Sequence, residues 1–125
     1  MSMAPRPPSF THSLHDPAYC PLFARAIQIL GKRWSGPIVK ALLAGLSRFS
    51  EIEAAIPGLS AKLLSERLRE LEAEGIVTRS VHAEHPVRIE YALTEKGRDL
   101  VGVIDAVEAW AGAWLAGDPA ASLTP

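Results

Sequence analysis

The chain has 125 residues, 48% of them hydrophobic and 22% charged, with a formal net charge of −1. This is one domain's worth of ordinary globular composition, and no apolar run approaches the roughly 18 residues that span a bilayer. A single cysteine, Cys20, excludes an internal disulfide framework and a cysteine-rich zinc site. With no basic stretch leading into an apolar segment at the N-terminus, the expected compartment is the cytoplasm, with no membrane partner. A net charge near zero also means that any nucleic-acid surface has to be local.

Residues 1–17 carry Pro5, Pro7, Pro8 and Pro17 without periodicity and read as a loose arm. Pro21 suits the first turn of a helix on which Leu22, Ala26, Ile29 and Leu30 recur until Gly31. A second helix begins near Trp34 or Ser35, carries Ile38, Val39, Leu42 and Leu43, and ends at Gly45. Phe49, Ile52 and Ile56 mark a short third helix closed by Pro57-Gly58. Ser60 caps a fourth, running to about Glu74 with Leu64, Leu68 and Leu71 inward and Gly75 as its stop. The period then changes: 76–81 and 87–93 read as two strands joined around Glu84-His85-Pro86. Thr94 caps one long last helix with Leu100, Val103, Ile104, Val107, Trp110 and Trp114 as its apolar positions. Residues 117–125 read as a frayed tail, which leaves 18–116 as the folded domain.

The expected class is α+β, mainly α. Helices two to four followed by a hairpin have the plan of a winged helix-turn-helix, with helices flanking it at both ends. Nothing alternates as a parallel sheet would. In such a unit Phe49–Ile56 is the first helix, Pro57-Gly58-Leu59 the turn, and the helix from Ser60 enters the major groove. The small Ala54 and Ala55 would let the two helices approach closely. The residues expected to meet DNA are Ser60, Ala61, Lys62 and Ser65 at the start of the recognition helix, with Arg67 and Arg69 further along. Ser47 and Arg48 would clamp a phosphate at the motif entrance, and Arg88, helped by His85, would reach the minor groove from the hairpin. A solvated face on which arginines alternate with Glu66, Glu70 and Glu72 is the plain alternative.

The segments LGKRWSGPIVKALLAG, RFSEIEAAIPGLSAKLLSERLRELEAEGIV and EHPVRIEYALTEKGRDL, preceded by Cys20-Pro21, closely resemble the HxlR-type transcriptional regulators, relatives of the MarR group. The resemblance spans about residues 20–114. It implies a homodimer built on the first and last helices, presenting two winged units to a pseudo-palindromic operator about 34 Å apart. Leu22, Leu100, Val103, Val107, Trp110 and Trp114 are then the interface residues, and repression is the expected mode. One departure matters: Ala61 stands where family members often carry a polar residue, so no operator sequence is implied.

Cys20 lies at the start of the first helix, where the helix dipole favours a thiolate. Some HxlR-type proteins sense oxidants or electrophiles through a cysteine at this place, so an oxidant effector acting on Cys20 is one expected signal. A small buried cysteine is the simpler reading. A second expected signal is a small apolar ligand between the dimerisation helices and the winged unit, lined by Trp34, Trp110, Tyr19 and Phe23. The histidines His12, His15, His82 and His85 show no catalytic or metal-ligand spacing, and no phosphate-cradling glycine loop occurs. Neither an enzyme nor a cofactor is therefore expected. A winged helix serving only protein contacts is the rival function.

Overall fold

The computed structural model describes residues 19–119. The expected arm at 1–17, with His12 and His15, and residues 120–125 of the expected tail lie outside them. The chain divides between Lys32 and Arg33 into two compact units.

The first unit contributes α1, Pro21–Leu30. Pro21 occupies its first position and the Cys20 thiol caps it, accepting the Phe23 N–H at 3.1 Å. No residue of α1 is fully buried.

The second unit follows the expected order. It contains α2 (Ser35–Leu43), α3 (Phe49–Ala55), α4 (Ala61–Ala73), β1 (Val77–His82), β2 (Arg88–Leu93), α5 (Glu95–Arg98) and α6 (Val101–Trp114). Its core is Ile38, Val39, Ile52, Leu64, Leu68, Leu71 and Val77, each at most 2% exposed. Burial of a leucine-sized side chain stabilises by about 1.5–3 kcal/mol, so this cluster accounts for the mutual packing of α2, α3 and α4 against the hairpin. Pro37 lies in the first turn of α2, where its missing N–H would have had no helical partner. Trp34, the N-cap of α2, adopts φ 82°, a conformation that costs a non-glycine residue about 1–3 kcal/mol. Its ring is only 3% exposed, with the Arg33 guanidinium 5.0 Å from the ring centroid.

The punctuation works as expected around α4. Gly58, in the turn before it, takes φ 85°, and the Ser60 hydroxyl accepts the Leu63 N–H at 3.1 Å. At the other end Gly75 takes φ 75°, its N–H bonds to the Glu72 carbonyl and the Ile76 N–H to Leu71. That pair of bonds is a Schellman motif, which satisfies the last carbonyls of the helix and turns the chain into β1.

Two expectations are corrected. The last helix is not continuous: α5 stops at Arg98, and Leu100, expected on the dimer stripe, is instead the half-buried N-cap of α6. The reason is that α5 is tied to the base of the hairpin. Thr94 Oγ1 donates to the Gly75 carbonyl, Lys96 Nζ to Glu74 and Arg98 to Leu93, at 2.6–2.7 Å. Gly97 is pressed against the Ile76 carbonyl, where no Cβ would fit. The second correction concerns Ala54 and Ala55, which are exposed rather than packed at the helix-turn-helix crossing.

Candidate DNA interface

The face that α4 presents is set by where its leucines point. With Leu64, Leu68 and Leu71 inward, one flank of the helix carries Arg67 and Glu70 and the other Ser65, Arg69 and Glu72. Lys62 and Glu66 project outermost. Ala61 and Lys62 are exposed at the N-terminal end, beside the Ser60 cap, where helix dipole and free N–H groups favour anions.

Arg67 is placed away from this surface. Its Nε donates to the Arg33 carbonyl at 3.0 Å and its Nη1 to Glu70 at 3.2 Å, leaving the side chain 17% exposed. It fastens α4 to the segment before α2.

Arg88, expected to reach the minor groove, is engaged in a different way. Its Nη2 lies 3.2 Å from Glu84 and its Nε 3.1 Å from Glu90. The second contact lacks the angle of a hydrogen bond, so it is an ion pair without a directed bond. Glu90 also faces His82 at 3.1 Å. Register explains the grouping: His82 pairs with Arg88 and Ser80 with Glu90, so all four lie on one face of the hairpin. His85 is exposed at the tip. Arg48, exposed as the N-cap of α3, shares a groove of about 430 Å³ with His85 and Arg88.

The opposite hairpin face carries Val77, Arg79 and Val81 against Leu93, Tyr91 and Ile89. Val77 and Leu93 are buried, and Arg79 and Tyr91 continue that face outward to α4. There they line one cleft with Ser65, Arg69 and Glu72. Neither Arg79 nor Tyr91 was among the residues expected to meet DNA. Period-two parity with Val77 is the signal that points to them.

The cations sort accordingly. Among the described residues, Lys40 is paired with Glu108, Arg67 with Glu70 and Arg88 with Glu84 and Glu90, while Lys96 and Arg98 donate to carbonyls. Lys62, Arg69 and Arg79 have no such partner. Ser47, half-buried, acts through its backbone: its carbonyl accepts the Tyr91 N–H at 2.7 Å, and its own N–H, like that of Arg48, bonds to the Glu51 carboxylate. Those two N–H groups, Arg48 first, hold the Glu51 pKa below its ordinary value of 4.5.

Two of the residues expected to line a ligand cavity lie in this unit. Trp34 is a core residue, whereas Trp110 is 59% exposed. An apolar groove of about 530 Å³ in this unit is lined by other residues, among them Pro37, Leu43, Ala55, Val101 and Ile104.

The HxlR-like helix-turn-helix family model matches residues 29–119. The chain belongs to the HxlR family. It is 55% identical over 96 residues to YvaP of Bacillus subtilis, an HTH-type transcriptional regulator, covering 77% of this chain and 89% of that one. To YodB of the same organism, also an HTH-type transcriptional regulator, it is 49% identical over 92 residues, covering 74% and 82%. The reduced form of YodB superposes with a TM-score of 0.70 at 46% identity, covering 78% of this chain and 96% of that one. YodB is also similar in a quinone-bound form, at a TM-score of 0.66, 45% identity and coverage of 77% and 100%. The redox regulator HypR in its oxidized form gives a TM-score of 0.70 at 34% identity, covering 75% and 96%. The protein is thus a transcriptional regulator of the HxlR type with a winged helix-turn-helix. No helix among the described residues is long and apolar enough to cross a membrane.

Proposed function

We propose that the protein represses transcription by binding a pseudo-palindromic operator as a homodimer, with α4 of each copy in a major groove. The observation that carries this reading is the distribution of unpaired charge. Lys62 and Arg69 lie free on the exposed face of α4, while Lys40, Arg67, Arg88, Lys96 and Arg98 are committed to carboxylates or carbonyls. Lys62 and Ala61 reach base edges, and Ser60, Ser65 and Arg48 lie where the backbone passes. Ala61 offers only an apolar contact, such as a thymine methyl. Arg67 and Arg88 act within the protein, and His85 touches the phosphates from the hairpin tip.

The second copy covers the apolar faces that the described chain leaves bare. Val103, Val107, Trp110 and Trp114 on α6 are 46%, 59%, 59% and 74% exposed, and Leu22 on α1 is 51% exposed. A solvent-facing stripe of this kind on a small domain marks an interface, and the tryptophans are its anchors.

We further propose that Cys20 receives an oxidant or quinone signal. Similarity to YodB in its reduced and quinone-bound forms supports this, as does the half-buried free thiol at the N-cap of α1. With one cysteine per chain, the signal acts by adduct formation or by a bond between two copies.

Binding to the DNA flanking its own gene, followed by gel shift with and without oxidant, tests the proposal. A winged helix used only for protein contacts would give no shift at any salt concentration.

A further inference from the structure

We propose that the cleft between α4 and the hairpin, lined by Ser65, Arg69, Arg79 and Tyr91, grips a backbone phosphate of duplex DNA. This rests on the DNA-binding reading above and adds residues that the helix-turn-helix alone does not supply. The cleft measures about 310 Å³, and polar atoms make most of its lining. Two guanidinium groups converge there from different elements, one on the recognition helix and one on β1. Neither has an ion pair or hydrogen bond with any described residue, and the Tyr91 hydroxyl is likewise unspent.

Local geometry orders these groups. Ser65 and Arg69 are four apart on α4 and share its flank toward the hairpin. Arg79 and Tyr91 are directly opposed across the ladder. Because the Tyr91 N–H points away from β1 to the Ser47 carbonyl, theirs is a non-hydrogen-bonded pair, the kind in which side chains come closest. The phenol therefore stands beside the Arg79 stem.

Like charges brought together without a counterion repel. Glu72, the one carboxylate in the lining, neutralises only half of this pair. The remaining charge, the forked donors of two arginines and two hydroxyl groups suit the tetrahedral oxygens of a phosphate. A DNA strand leaving the major groove beside α4 has to pass the hairpin, which places a backbone phosphate at this cleft rather than a base edge.

The test measures affinity of the full-length protein for a random-sequence 30-base-pair duplex across a salt series. Non-specific binding is governed by phosphate neutralisation, so its salt slope counts contacts. Arg79→Ala is expected to lower the slope by about 0.9 per cleft, with thermal unfolding followed alongside to verify the fold. Arg79→Lys is expected to keep the slope and bind more weakly. Tyr91→Phe weakens binding at constant slope, and Glu72→Gln tightens it. A steep wild-type slope that Arg79→Ala leaves unchanged overturns the cleft while the DNA reading stands. Absence of salt-dependent duplex binding by the wild type overturns both. Inorganic phosphate that stabilises the wild type but not Arg79→Ala, with the duplex slope unaltered, assigns the cleft to a free oxyanion and overturns the backbone contact.

Discussion

Tyr91 donates its backbone N–H to the Ser47 carbonyl at 2.7 Å, so β2 is bonded to β1 on one edge and to the entrance of α3 on the other. This one bond couples the wing to the helix-turn-helix. It fixes the face of the hairpin that carries Arg79 toward α4, while Arg88, Glu90 and His82 lie half-buried on the other face.

The entrance to α3 is held by Glu51, whose carboxylate accepts from Ser47 and Arg48. Its folded pKa is depressed, so the ionised form contributes stability above the ordinary carboxylate value, and that contribution is lost as pH falls through the depressed one. Glu51→Gln is expected to lower the thermal midpoint at pH 7, and the gap to wild type should close as pH falls from the ordinary value of 4.5 through the depressed one. An equal gap at pH 7 and pH 3 would rule out the charged cap as its source.

Glycine replacements should separate two kinds of position. At Gly97 an added methyl meets the Ile76 carbonyl, whereas at Gly36 it meets nothing within 4 Å. Gly97→Ala should destabilise by about 1–3 kcal/mol. Gly36→Ala should be neutral or stabilise by about 0.4–1 kcal/mol. Denaturant titration of both variants checks this, and equal effects would contradict the packing described for α5.

The bare stripe of α6 predicts the oligomeric state. Truncating a tryptophan anchor commonly weakens an interface by about 2 kcal/mol or more, so Trp110→Ala should weaken dimerisation by about 30-fold, and Val107→Asp should give a monomer. Sedimentation equilibrium measures both. A wild-type monomer at tens of micromolar would remove the dimer from the account.

Cys20 is testable without disturbing its cap, since a serine hydroxyl can accept the Phe23 N–H in place of sulfur. Cys20→Ser should bind DNA like the wild type and stay bound after diamide or quinone treatment that releases the wild type. Equal release of the two proteins would place the signal elsewhere.

Much of the fold is legible because its punctuation is local. Ser60, Pro57-Gly58 and Gly75 each act within a few residues of where they stand, and the structure puts the turn and caps of α4 at them. The break at Asp99-Leu100 is not local. It follows from Gly97 and Thr94 docking on residues about 20 positions earlier, so the apolar periodicity runs on across it unbroken. The site divides in the same way. Lys62 and Ser65 follow from the leucine stripe of their own helix. Arg67 is lost to a carbonyl 34 residues away in the chain, which no pattern announces. Arg88 is prominent in the sequence because it follows a polar turn. Strand parity, which sets it beside Glu90 and sets Arg79 with buried Val77, is the better guide.

The central claim is that the outer face of α4 binds duplex DNA through Lys62 and its neighbours. Its most direct test is the affinity of wild type and Lys62→Ala for the DNA flanking the protein's own gene, measured from low to moderate salt. The wild type should show a steep linear fall of log K with log salt. Lys62→Ala should lose about tenfold or more in affinity at fixed salt. No wild-type binding at low salt, or identical binding by Lys62→Ala, would contradict it.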